Sequence, residues 1–149
     1  MRQTLRVAAY AVCVRDGRLL LARGRDGHGD PEWTLPGGGM EHGEDPHDTV
    51  LREVGEETGY RIEVAALLGV DSVRLRLPRG FGRRRDHHAV RLLYTGRITG
   101  GELRPEVGGT TDLGAWHPLE EVPALHRVPL IDTALALWRT HPAPGPAAT

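Results

Sequence analysis

The stretch from Gly38 to Tyr60, GGMEHGEDPHDTVLREVGEETGY, decides how this chain is read. Within it, Arg52-Glu53-Val54-Gly55-Glu56-Glu57 places three carboxylates at i, i+3 and i+4, on one side of a helix. Like charges at that spacing destabilise a bare helix by about 0.2–0.5 kcal/mol per pair. Such a cluster implies a compensating cation, and carboxylate oxygens select hard divalent ions. The flanking residues predict a helix over about 46–58. Asp45 is placed as N-cap, Pro46 at the first helical position and Asp48 in the first turn. Val50, Leu51 and Val54 form an apolar stripe that would dock the helix. Gly59 is placed to end it in a left-handed conformation.

Upstream, the short apolar run Trp33-Thr34-Leu35 leads into Pro36-Gly37-Gly38-Gly39. This reads as a glycine turn whose backbone can come close to a ligand or ion. An exposed, solvated glutamate face would explain the three acids, but not the glycine turn, the spaced Glu44 or the terminal Gly59.

Gly38, Glu44, Arg52, Glu53, Glu56, Glu57 and Gly59 stand in the register of the Nudix box, with Val54 at its inner apolar position. Tyr60 fills the last position, where an aliphatic residue is more usual. The chain therefore resembles the Nudix hydrolases. The likeness extends through Trp33 to Gly38 and the later Trp116-His117-Pro118-Leu119-Glu120-Glu121. The resemblance implies an α/β fold, a mixed sheet sandwiched between α-helices, and a Mg²⁺-dependent pyrophosphohydrolase, with Mn²⁺ as a substitute ion. By the same resemblance Glu53, Glu56 and Glu57 are the metal ligands, with a backbone carbonyl of Gly37 or Gly38 as an additional one. Arg52 and Glu44 form an orienting ion pair. The base that activates water is Glu56 or Glu57, or an acid on a later loop such as Glu106 or Asp112. The expected substrate is a nucleoside diphosphate linked to another moiety. A non-enzymatic module that senses a nucleotide is the contrasting reading; it would be expected to have lost one of these carboxylates, and none is missing.

Composition bounds the rest. The 149 residues fit one domain over 1–141 with a Pro- and Ala-rich, disordered tail over 142–149. Hydrophobic residues at 39% and charged ones at 26% are ordinary for a globular protein. No apolar run reaches the length of a membrane span, and MRQTLRVAAYAVCV lacks a signal-peptide cleavage pattern, so a cytoplasmic location is expected. A net charge of -1 argues against nucleic acid as a partner. A homodimer is admitted as an assembly state. The single Cys13, in a strand-like run, reads as a small buried hydrophobe. All 19 basic residues are arginine, so guanidinium or imidazole must make any phosphate contact.

The remaining pattern predicts strands over Leu5 to Val14 and Arg18 to Ala22, joined as a hairpin by Asp16-Gly17. A polar loop follows over Arg23 to Pro31, with strands at Trp33 to Leu35, Arg61 to Leu77, Ala89 to Ile98 and Leu113 to His117. Gly100-Gly101 reads as a turn, Val122-Pro123 as the start of another, and Pro129 to Trp138 as a final helix. Arg23 and Arg25 precede the site and are candidates for a terminal phosphate, against the plainer reading of a surface loop. Arg74 to Arg85 carries six arginines and no acid; it reads either as a phosphate-binding flap that includes Arg83 and Arg84 or as a solvated hairpin tip whose charges do nothing specific. Trp33 and Trp116 read as core.

The substrate is the least legible feature. Leu19 to Pro36 does not resemble the extra motif of coenzyme A pyrophosphatases. Leu77 and Pro78 stand where diadenosine polyphosphate hydrolases carry a tyrosine. Pro78 lies near, though out of register with, a proline of ADP-ribose-type members. ADP-ribose or a similar nucleotide sugar is therefore the first expectation, and a (deoxy)nucleoside triphosphate the second.

Overall fold

The computed structural model describes residues 2–77 and 85–141. The arginines at 83 and 84 and the tail at 142–149 lie outside the described residues. The first strand, β1 (Arg2–Val12), does not fold back on its sequence neighbour. It runs parallel to β7 (Arg85–Gly101) along its whole length and antiparallel to β5 (Gly37–Gly39). β7 in turn pairs with the long β6 (Tyr60–Leu77), giving a mixed sheet in the order β5-β1-β7-β6.

The expected hairpin exists only at its tip. β2 (Val14–Arg15) pairs with β3 (Arg18–Arg25) across Asp16 and Gly17, both at positive φ, as a tight primed turn requires. β3 also pairs with β4 (Pro31–Thr34) and β8 (Leu113–Pro118), forming a second, antiparallel sheet. Cys13 lies at the switch between the sheets; its carbonyl accepts from Leu20 N at 3.0 Å. Burial raises its thiol pKa to about 12, so it packs as an inert hydrophobe.

Side-chain alternation builds the layers. Ala9, Ala11 and Cys13 face one side, where Leu20, Ile62 and Tyr94 join them under Val50 and Val54 of α1 (Pro46–Thr58). Val12, Leu19, Leu21 and Leu93 face the other, against Ile131, Ala134 and Leu135 of α2 (Leu130–Thr140). Fully burying Val50 and Val54 stabilises the docked helix by about 1.5–3 kcal/mol each. The arrangement is the expected mixed sheet between helices, with the second sheet an addition to it.

Several local expectations change. Leu51 lies outside the docking stripe, 42% exposed. Asp45 takes the extended N-cap backbone but its side chain caps nothing; the neighbouring Glu44 accepts from the Thr49 hydroxyl at 2.7 Å. The glycines at 37–39 form a strand, not a turn. Gly100 and Gly101 pair with Arg61 and Tyr60 at the end of β7. Val122 and Pro123 lie in a 3-10 helix, Leu119–Ala124. Trp33 is half-buried beside the α2-side core, edge-on to His117 at 4.3 Å between centroids. Trp116 is also half-buried and donates to the Tyr60 hydroxyl at 3.0 Å. No helix among the described residues is long and apolar enough to cross a membrane.

Candidate active site

β5 is an edge strand made only of glycine, and α1 places its charged side against that edge. The Gly37 amide donates to Glu57 Oε1 at 3.4 Å, and the Gly39 carbonyl accepts from Arg52 Nη2 at 3.3 Å. A Cβ on Gly38 would lie 2.8 Å from Glu53 Cδ. The bare backbone is thus what admits the Glu53 carboxylate.

Arg52 organises the acids. Its Nε and Nη2 donate to both oxygens of Glu44, at 2.8 and 3.0 Å. Its Nη1 donates to Glu53 at 2.9 Å and to Glu56 at 3.4 Å. Glu44 also accepts from the Glu41 amide at 3.1 Å. Arg52 first, then Thr49 and that amide, hold the Glu44 carboxyl down at about 2. The expected Arg52–Glu44 pair is present and fixes the loop before α1 against the helix.

Glu57 is the opposite case. It is buried, and its Oε2 has no hydrogen-bond partner among the described residues. Burial first, then the Glu53 carboxylate within hydrogen-bonding reach, and more weakly Glu106, push its pKa well above the ordinary carboxylate range. An orphaned, buried carboxylate oxygen beside a second carboxylate is a site that fits a hard cation. Glu53 and Glu57 are therefore brought together. Glu56 turns outward and half-exposed to Arg52, and no three His, Cys, Asp or Glu side chains among the described residues close around one point.

The later loop, residues 102–112, is tied down at both ends. The Arg104 amide donates to Thr58 O at 3.0 Å and its guanidinium to Gly55 O at 3.3 Å, at the C-terminus of α1. At the other end Asp112 N donates to Arg23 O at 3.0 Å. Between them Glu106 accepts from the Thr111 hydroxyl and lies across Gly109. Asp112 is bound bidentately by Arg23, at 3.0 and 3.1 Å, which lowers its pKa. Of the two loop acids, Glu106 is the one whose charge bears on Glu57.

The two arginines singled out before the site have other duties. Arg23 holds Asp112, and Arg25 donates to Gly29 O at 2.9 Å, closing its own loop. Both belong to β3, not to the polar loop where the sequence pattern put them. Arg6 was not singled out. It lies on β1, and its guanidinium crosses the face of Gly39, where a Cβ would meet Nε at 2.5 Å. Only the Ala8↔Gly39 register, a long-range pairing, exposes that relation.

An α/β sandwich whose helix carries a glutamate cluster onto a glycine edge strand defines the class. A sequence model of the NUDIX domain matches residues 3–138, and the chain belongs to that family. An ADP-ribose pyrophosphatase of Methanocaldococcus jannaschii is 35% identical over 98 residues, 66% of this chain and 54% of that protein. An RNA pyrophosphohydrolase of Halorhodospira halophila is 33% identical over 120 residues, 72% of this chain and 65% of that protein. A solved MutT NUDIX hydrolase from Burkholderia pseudomallei superposes with a TM-score of 0.70 at 32% identity, covering 90% of this chain and 98% of that one. The chain spans about half the length of the curated relatives it matches.

Proposed function

We propose that this protein is a Mg²⁺-dependent pyrophosphohydrolase that splits a nucleoside diphosphate linked to a second group, ADP-ribose first. The observation that carries the reaction class is the Glu53–Glu57 pair at the Gly37–Gly38 edge, with a buried Glu57 oxygen left unpaired. Glu53 and Glu57 are the residues that would hold the ion, with Glu56 and the Gly38 backbone alongside. A bound Mg²⁺ supplies positive charge that offsets the repulsion between phosphate and an incoming water. Arg52 and Glu44 keep the Glu53 carboxylate aimed at the site.

Glu106 is the base that takes the proton from water. The Thr111 hydroxyl orients it and its charge bears on Glu57, whereas the carboxylate of Asp112 is occupied by Arg23. Water adds to one phosphorus and the bridging P–O bond breaks, so ADP-ribose and water give AMP and ribose 5-phosphate. The resemblance to a relative named ADP-ribose pyrophosphatase supports this substrate.

A second reading, hydrolysis of (deoxy)nucleoside triphosphates, is favoured by the relative of Bacillus subtilis named as a putative 8-oxo-dGTP diphosphatase. Incubation with Mg²⁺ and each compound, followed by mass spectrometry, separates the two. AMP with ribose 5-phosphate, at kcat/KM well above that for any triphosphate, supports the first. Monophosphate with inorganic pyrophosphate, and ADP-ribose untouched, supports the second. Protein inert toward all of them is the result expected of a sensing module.

A further inference from the structure

β5 is a partition one strand thick. On one side Glu53 fills the space a Gly38 side chain would occupy; on the other Arg6 fills the space of a Gly39 side chain. Consecutive residues of a strand face opposite sides, so two neighbouring glycines admit a carboxylate from α1 and a guanidinium from β1 to the same edge. Arg6 is exposed and makes no ion pair with another described residue. Arg91, which also lies close to Tyr10, is by contrast neutralised by Asp71. Tyr10 pairs with Gly37 and lies on the same side of β1 as Arg6. Burial raises its phenol pKa, the charges of Arg6 and Arg91 oppose that rise, and those of Glu57 and Glu53 add to it. Gly38 and Gly39 are neighbours in β5, so Arg6 and the Glu53 carboxylate flank the same strand edge.

We propose that Arg6 is the substrate-binding arginine of this site, its guanidinium gripping the diphosphate of the substrate at the β5 edge. The proposal rests on the pyrophosphohydrolase reading and adds the residue that recognises the anion. A guanidinium offers a planar fork that matches two phosphate oxygens. The free charge of Arg6 is what a doubly anionic substrate requires beside carboxylates that would otherwise repel it. Arg23 and Arg25, the arginines expected in this role, are each bound elsewhere.

The test is equilibrium binding of α,β-methylene ADP-ribose, which is not hydrolysed, in Mg²⁺, beside steady-state kinetics on ADP-ribose. Loss of a charge-assisted hydrogen-bonded contact should weaken binding by about 10- to 100-fold in Arg6→Ala, with KM rising more than kcat falls. Arg6→Lys should recover part of the affinity, because it restores charge without the fork. Gly39→Ala should imitate Arg6→Ala, since its methyl displaces the guanidinium. Arg97→Ala removes an exposed arginine paired with Glu63 and should change neither quantity; it controls for net charge. Should the protein cleave only triphosphates, the same losses are expected with α,β-methylene ATP. Unchanged binding in a folded Arg6→Ala variant of a protein whose wild type cleaves its substrate overturns the proposal alone. A wild type that binds neither analogue and cleaves neither substrate overturns the hydrolase reading with it.

Discussion

Replacing Glu57 by glutamine should stabilise the metal-free protein while abolishing its activity. In the native state the Glu57 carboxylate is buried beside Glu53, with one oxygen bonded to Gly37 N and the other unpaired. A glutamine keeps an oxygen for that amide and turns an NH₂ donor toward Glu53, removing the unpaired acceptor at every pH, whereas the acid does so only by binding a proton. An unsatisfied buried group costs about 1–3 kcal/mol. At roughly 3 °C per kcal/mol for a chain of this size, the melting temperature in EDTA at pH 8 should rise by about 3–9 °C. The sign follows from linkage. The folded pKa of Glu57 lies above its ordinary value of 4.5, so the native state keeps a proton that the unfolded chain has already lost. The contribution of Glu57 to stability is then fully present below pH 4.5 and is lost as pH rises through the folded pKa. The advantage of Glu57→Gln should accordingly vanish near pH 4.5 and grow toward pH 8. Saturating Mg²⁺ should reverse the order, because only the wild type gains from binding. Differential scanning calorimetry in EDTA and in Mg²⁺ reads all of this. A variant that melts below the wild type in EDTA at pH 8 would refute the claim that Glu57 is an uncompensated buried carboxyl.

Gly55→Ala should stabilise by about 0.5–1 kcal/mol, since a Cβ there meets only Tyr60 O at 3.8 Å outside its own helix; chemical denaturation checks it. Gly38→Ala should leave the fold cooperative but cut kcat/KM by at least about tenfold, because its methyl drives Glu53 out of place; steady-state kinetics decide. The Glu44 carboxyl is held at about 2 against an ordinary 4.5, so its contribution is complete above pH 4.5 and lost as pH falls toward 2. Melting temperatures of wild type and Glu44→Gln should converge over that window, and a constant difference would contradict it. Glu106→Gln should lower kcat by about 10²–10⁴-fold, and Thr111→Val by less, with Thr111→Ser restoring the rate; unchanged turnover in Glu106→Gln would remove it from the chemistry.

What could be read from the sequence was what local rules encode. α1 falls on 46–58 as expected because Pro46 opens it and Gly59, at φ 86°, closes it through a bond to Gly55 O. The Arg52–Glu44 bond was expected from the resemblance to the Nudix box and not from local rules. Pairing partners were not legible. Nothing local tells β1 to pass over its hairpin neighbour and run beside β7, more than eighty residues away. The role of β5 depends on that choice, and with it the position of Arg6. The orientation of Glu56 was not legible for a different reason: helical spacing sets where a side chain starts, while the i, i+4 attraction of Arg52 decides where it ends. Arg23 and Arg25 look like loop residues until β3 is seen to run through them, its two edges taken by β4 and β8.

The charges of the site divide into two groups with opposite settlements. Glu44 and Glu53 share the Arg52 guanidinium and serve as rigid support within the fold. Glu57 has an amide and nothing else, although it is the most buried of the set. A fold can keep such a residue only if the native state gains something that the isolated chain does not show. A cation satisfies Glu57 directly, and the anion that the cation attracts then satisfies Arg6 across the glycine strand. The unpaired Glu57 oxygen and the Arg6 guanidinium, on either side of β5, are thus complementary to the two halves of a metal–diphosphate complex. This shared edge, and not the glutamate count of the helix, is the strongest structural support for an enzyme of phosphoanhydrides.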